Sequence, residues 1–232
     1  MLSQQVTGQT GESTDNPPAG LRERKKRLLR HRLSDTATRL FIDHGFDAVR
    51  VADIAEECGV SEATVFNHFQ TKEALVLDRL ETTMASLPAG LSAPGLGPIE
   101  AALRLLAEEL HSMTDVLASQ DDPRIAAMAI LRFGDLIRAT PSLRAYMSDM
   151  MDQWVSVATR LLADRAGLSP EDPEPQIAAR ALLGLWHVQA ESLRKHLRSE
   201  ELDRIQQDVT DDVRRAARVI AAGIDSLGVS RP

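Results

Sequence analysis

The sequence predicts an all-α fold. Apolar residues recur at spacings of three and four along most of the chain, the mark of amphipathic helices. Gly and Pro gather where those periodic stretches stop. No alternating strand pattern bounded by hairpin turns occurs. At 232 residues and 43% hydrophobic content, the chain can bury a substantial core as one large domain or two modest ones.

Met1 to Gly20 is rich in Gly, Ser, Thr, Gln and Pro, so residues 1–20 are expected to be a disordered tail. Helical periodicity begins at Leu21, with Leu29, Leu33, Ala37, Leu40, Phe41 and His44 along one face, and Gly45 ends it. Val51, Ile54, Ala55 and Cys58 form the inner side of a second helix, broken at Gly59. Ser61 is placed to cap a third helix, from which Val65 and Phe69 point inward. Thr71 caps a fourth helix that opens with Lys72, Glu73 and Leu75.

Pro88 to Pro98 reads as a break. Beyond it, Ile99 to Leu117, Ile125 to Ala139, Leu143 to Leu161, Gln176 to Arg198 and Leu202 to Leu227 each keep helical spacing. The expected total is nine helices, without internal repeat.

The single cysteine, Cys58, excludes an intramolecular disulfide framework and fits a reducing compartment. No run is apolar enough to cross a bilayer, and the N-terminus lacks the apolar core of a secretory signal. A cytoplasmic protein without membrane partners is expected. The net charge of −7 argues against nucleic acid until its distribution is considered. Arg22 to Arg32 holds seven basic residues against one acid, Glu23. Local field, not total charge, governs approach to phosphate. A solvated helix face or flexible arm accounts for such a run equally well.

Val51 to Phe69 is the most informative stretch. Two short helices joined by a tight turn, the second with small and polar residues on its outer side, are how a protein offers side chains to the major groove. Glu62, Ala63, Phe66 and Asn67 share a helical face, with Thr64 and His68 beside it. Thr64, His68 and Lys72 suit phosphate. Asn67 suits an adenine edge, and Ala63 a thymine methyl. Phe66 is placed to pack on sugar or thymine. The competing reading is that Phe66 and His68 merely finish a small core.

These residues resemble the tetracycline-repressor (TetR) family of bacterial regulators. The matching positions are Ala37, Leu40-Phe41, Gly45-Phe46, Val51, Asp53-Ile54-Ala55, Gly59-Val60-Ser61, Thr64, Phe66, His68-Phe69, Lys72-Glu73 and Leu75. The resemblance implies a nine-helix TetR-like fold, with a three-helix DNA-binding domain at 21–70 and a ligand-binding and dimerisation domain at 71–232. It implies a ligand-responsive DNA-binding regulator, a repressor before an activator, that reads a palindromic operator as a homodimer. The implied DNA-contacting set is Arg50, Ser61, Glu62, Ala63, Thr64, Phe66, Asn67, His68 and Lys72. Two positions depart from the family pattern. Arg50 stands where Thr is frequent and is expected to cap the second helix poorly. Phe66 stands where Tyr is frequent and lacks the phenolic contact.

In the C-terminal half, Ala178, Ala181, Leu182, Gly184 and Leu185 form a small-residue stripe, and Leu202 to Leu227 an apolar seam. The pattern and the resemblance both imply a dimer through helices 176–198 and 201–227; closing a monomeric core is the competing account. Five methionines fall between Met113 and Met151, and methionine adapts to varied partners. Met113, Met128, Phe133, Tyr146, Met147, Met150, Trp154 and Trp186 are the expected pocket for a small apolar effector, set against an ordinary filled core. Arg132 is placed either to pair with an anionic ligand or to meet a carboxylate or solvent. The Arg138 to Arg144 turn and the helix after it resemble the ligand-binding domain of the mycofactocin-regulator branch. That resemblance implies a long-chain acyl or related apolar ligand.

Catalysis has little support. No Gly-rich phosphate loop or Gly-x-Ser-x-Gly elbow is present. His187 and Glu191 have metal-ligand spacing, but Lys195 offers Glu191 an ordinary ion pair at i,i+4. No metal or cofactor is expected. An all-helical enzyme or scaffold without DNA function is the alternative; it leaves Val51 to Phe69 unexplained.

Overall fold

A computed structural model describes residues 19–93, 95–199 and 202–223. The expected tail, apart from residues 19 and 20, and the end of the last helix with Ile224 and Leu227 lie outside the described residues. Among the described residues every regular element is a helix: α1 (Ala19–His44), α2 (Val51–Glu57), α3 (Glu62–His68), α4 (Lys72–Met84), α5 (Leu87–Ser92), α6 (Pro98–Ala118), α7 (Pro123–Ala139), α8 (Pro141–Ala166), α9 (Pro173–Ser199) and α10 (Leu202–Ala222). The count is ten, one more than expected, because the Pro88 region contains α5. Pro88 sits at the start of that helix, where its missing N–H costs nothing.

The boundaries follow local chemistry. Pro98, Pro123 and Pro141 begin α6, α7 and α8 for the same reason. Asp122 accepts from the N–H groups of Arg124 and Ile125. Gly167 ends α8 at φ +69°, a left-handed turn that favours glycine.

Two apolar cores organise the chain. The first gathers Leu33, Ala37 and Phe41 of α1, Ile54 of α2, Val65 of α3, Phe69, and Leu75 and Leu77 of α4. It extends beyond α1 to α4, since Ile137 of α7 and Leu143 of α8 close it. The second joins α6, α8, α9 and α10 through Leu106, Leu110, Leu162, Leu182, Leu185, Trp186, Val209 and Val213. Helix α4 runs between the two: its first turns pack in the first core, and Met84 at its end in the second.

The α10 seam faces inward. Ile205, Val209, Val213 and Ala217 are no more than 3% exposed and complete the protomer's own core. On α9 the small-residue stripe divides between two faces. Leu182 and Leu185 are buried, whereas Ala178 and Gly184 are exposed and Ala181 is half-buried. Ala178, Ala181, Leu182 and Leu185 keep the spacing of one helical side, whereas Gly184 lies two positions from Leu182 and turns away from it.

Candidate nucleic-acid interface

The third helix is seven residues long, too short to persist alone. Neighbouring groups hold both its ends. At the start, Ser61 Oγ accepts the Thr64 N–H at 3.2 Å and lies 2.9 Å from the Thr64 hydroxyl. At the end, the His68 carbonyl accepts from Arg30 of α1 at 2.5 Å. Along the inner side, Val65 and Phe69 are 1% and 2% exposed.

That anchoring leaves the opposite side free. Glu62, Ala63 and Asn67 are exposed, and Phe66 is 50% exposed. Phe66 therefore does not finish the core, as the competing reading had it. The Phe66 ring adds apolar surface to an otherwise small and polar face. His68 is half-buried instead, with Nδ1 closed off from solvent and unpaired among the described residues. Burial, then the charges of Arg30 and Lys26, push its pKa down, which favours the neutral ring.

Arg50 and Lys72 are placed differently from simple phosphate ligands. The side chain of Arg50 has only donors and cannot cap the free N–H groups of α2. Asp53 supplies the reciprocal half of the cap: its carboxylate accepts the Arg50 N–H at 2.8 Å and the Arg50 guanidinium at 2.7 Å. The guanidinium thereby holds the Asp53 carboxyl below its usual range. Lys72 donates to the Phe46 carbonyl and lies over the Phe41 and Phe46 rings, 5.2 and 4.3 Å from their centroids. Burial lowers its pKa. It braces the start of α4 against the turn after α1.

The basic run divides in the same way. Arg30 donates to Asp78 at 2.6 Å and stacks 4.3 Å from the Phe69 ring centroid. Arg32 donates to the Cys58 carbonyl at 2.7 Å. Arg22, Arg24, Lys25, Lys26 and Arg27 are exposed on the first turns of α1 and supply the positive field. Sequence reasoning left Arg30 without a role of its own, because nothing in a run of seven basic residues distinguishes the one that turns inward.

The expected effector residues do not converge on one cavity. Met113, Trp154 and Trp186 belong to the second core; Phe133, Tyr146 and Met147 pack against the first. Met150 is buried. Met128 is 52% exposed, and Arg132 is exposed as well. Adjacent turns of α7 and α8 face different partners, so sequence proximity did not translate into a common lining. Open grooves of about 420 and 320 Å³ lie elsewhere, the larger between α8 and α9 beside Thr159 and Arg180. A half-buried ionisable side chain beside Trp186 of the second core is Glu109 of α6, which sequence reasoning missed. The signal was present: Glu109 is three residues after Leu106 and four before Met113, on the apolar face.

His187 is exposed, and no cluster of three metal-ligating side chains occurs among the described residues. Glu191 is engaged by Arg194 at 2.5 Å rather than by the expected Lys195. Lys195 lies 3.6 Å from Asp212. Among the described residues no helix is long and apolar enough to cross a membrane.

Comparison with known proteins agrees with this geometry. The family pattern described as bacterial regulatory proteins of the tetR family matches residues 33–78, and the MftR C-terminal domain matches residues 120–225. A relative in Mycobacterium tuberculosis, named for regulating mycofactocin biosynthesis (MftR), is 30% identical over 208 residues, covering 88% of this chain and 95% of that protein. The chain belongs to the TetR family of transcriptional regulators. The TetR-family chain is also 30% identical over 162 residues to the HTH-type transcriptional regulator TcmR of Streptomyces glaucescens, covering 69% of this chain and 70% of the relative. Among solved structures, a complex of SmeT with triclosan superimposes with a TM-score of 0.53 at 17% identity, over 82% of this chain and 91% of that one. That likeness speaks to the fold alone.

Proposed function

We propose that this TetR-family regulator represses transcription in the cytoplasm as a homodimer on a palindromic operator, and that a small, largely apolar molecule releases it. The observation that carries the DNA-reading assignment is the exposed face Glu62, Ala63, Phe66 and Asn67 on a short helix clamped at both ends. Asn67 and Ala63 read base edges, Phe66 packs on sugar or a thymine methyl, and Ser61, Thr64, His68 and Arg50 lie along the phosphates. Lys72 acts through the shape of the head, and any phosphate contact it makes adds to that bracing.

The dimer is assigned to α9 and α10. Ile177 is 66% exposed, and Ala178, Ala181 and Gly184 flank it on a face that admits close approach of a second helix. A two-fold pair sets two recognition helices about 34 Å apart along a palindrome. Binding of the effector among α6 to α9 displaces α4, which packs in both cores, and so changes that separation.

The test is titration of the purified protein on duplexes selected from a random pool, at several salt concentrations. Asn67→Ala is expected to alter the selected sequence. Lys25→Ala/Lys26→Ala is expected to weaken all duplexes alike and to flatten the salt slope by about 2. Selection of no common sequence, together with no affinity at low salt, would overturn the reading.

A further inference from the structure

The second core holds a polar pair that its apolar surroundings do not explain. Trp186 of α9 is 7% exposed, and its indole Nε1 is closed off from solvent without a hydrogen-bond partner among the described residues. Beside it, on α6, the Oε2 atom of Glu109 is equally enclosed and equally unpaired. The two side chains are close enough for the indole N–H to favour the ionised carboxyl, while burial pushes that carboxyl the other way, upward, with the larger effect. The indole N–H leans toward the Glu109 carboxyl, but the contact is too long or too bent to satisfy Nε1 or Oε2. The core that holds Trp186 is apolar and includes Leu106, Leu110 and Met113 from α6, Trp154 from α8, and Leu182 from α9.

Burying two polar atoms in this state costs roughly 1–3 kcal/mol each, more for a charged group. Folded proteins rarely keep such atoms without a use for them. Replacing Glu109 with leucine would remove its share of the cost at little change in volume. An apolar lining with one or two convergent polar groups is also how small-molecule sites are built.

We propose that Glu109 and Trp186 form the polar end of the effector site, and that they select an apolar molecule carrying a hydroxyl group. The argument is one of complementarity. Trp186 can only donate, and Glu109 in its ionised form can only accept. A hydroxyl satisfies both at once, accepting from Nε1 and donating to Oε2. An ammonium satisfies Glu109 but leaves the indole N–H facing a cation. A carboxylate accepts from the indole but meets a like charge in a dry site, where repulsion is poorly screened. Arg132, the side chain suited to an anionic ligand, is exposed and does not offset that repulsion. The remaining apolar body lies along Met113 and Trp154. This inference rests on the effector-controlled reading above and narrows the chemistry of its ligand.

The test uses the full chain with three ten-carbon probes below their micellar concentrations: decan-1-ol, decanoate and decylammonium. The two tryptophans of the chain, Trp154 and Trp186, both lie in this core, so intrinsic fluorescence reports occupancy. Decanol is expected to bind at least about tenfold more tightly than either ion, the worth of one buried hydrogen bond. Glu109→Gln is expected to keep decanol binding and to raise decanoate affinity about tenfold. Trp186→Phe, followed through Trp154, is expected to lose about tenfold for decanol; it also serves if Glu109→Gln fails to fold.

Equal binding of the three probes overturns the proposal, as does a Glu109→Gln variant whose decanoate affinity is unchanged. A core pair bridged by water alone gives that second result. Retained sequence-selective DNA binding alongside either outcome leaves the regulator reading standing and removes only this site.

Discussion

The phenol of Tyr146 on α8 donates to the Glu81 carboxylate on α4 at 2.7 Å. Glu81 also lies 3.9 Å from Arg30, which reaches the His68 carbonyl at the end of the recognition helix. A polar chain therefore runs from the second turn of α8 through α4 and α1 to α3. Such a chain couples two regions only if it has two arrangements that both regions bias, and breaking its bonds one at a time is the direct way to ask.

Tyr146 is the single tyrosine of the chain, so its ionisation can be read by ultraviolet absorbance without overlap. Burial first, and the bond to Glu81 second, push its pKa up to about 12. Unfolding is expected to return the value to about 10. The phenol's contribution to stability is therefore complete below pH about 10 and is lost as pH rises through about 12. Glu81→Gln is expected to lower the native value. A native titration near 10 would show that the phenol is not held by Glu81.

Arg30 and Asp78 should be inseparable energetically. The Asp78 side chain is 1% exposed and its pairing is with Arg30 at 2.6 Å. Arg30→Met leaves that carboxylate buried without its partner and is expected to cost about 3–5 kcal/mol in urea unfolding. The double variant Arg30→Met/Asp78→Leu is expected to recover much of the loss, because the buried charge goes too. A double variant as unstable as the single one would contradict this.

Asp212 on α10 joins the last two helices. It accepts from the Ser192 hydroxyl at 2.8 Å, lies 3.1 Å from the buried His196 ring, and pairs with Arg215 at 2.8 Å. The Ser192 bond, followed by His196, Lys195 and Arg215, holds its carboxyl below the usual range. Its stabilisation is therefore present above the ordinary aspartate value of about 3.9 and fades as pH falls through the lower folded value. Asp212→Asn is expected to cost about 1–3 kcal/mol at neutral pH. The same variant is expected to lose less stability than the parent between pH 5 and about 3, which thermal melts across that range will show.

Gly184 gives a clean probe of the dimer. A Cβ added there meets nothing within 4 Å in the protomer. Gly184→Ala in a helix interior is expected to stabilise the protomer by about 0.5–1 kcal/mol. Gly184→Leu is expected to fold equally well and to sediment as a monomer where the parent is a dimer. Unchanged association by Gly184→Leu would move the interface elsewhere.

The outward face of α3 was legible in the sequence. A cap at Ser61 and inward Val65 and Phe69 fix the rotation of α3, and rotation decides that Ala63, Phe66 and Asn67 point out. Lys72 and Arg30 were not legible, because a basic side chain has the same spacing whether it reaches for phosphate or folds back onto a carbonyl. Glu109 was legible in principle, as an acid on an apolar stripe; its meaning depended on Trp186, 77 residues away in sequence.

The sequence by itself determined the all-helical class, nine of the ten helices, the family and the outward face of α3. Those properties rest on periodicity and capping, which act within a few residues of chain. Only the tertiary structure decided that the α10 seam closes the protomer's own core, that the expected effector residues divide between two cores, and that Glu109 meets Trp186. These depend on which helix faces are brought together, and burial energy is settled between segments far apart in the chain rather than within any one of them.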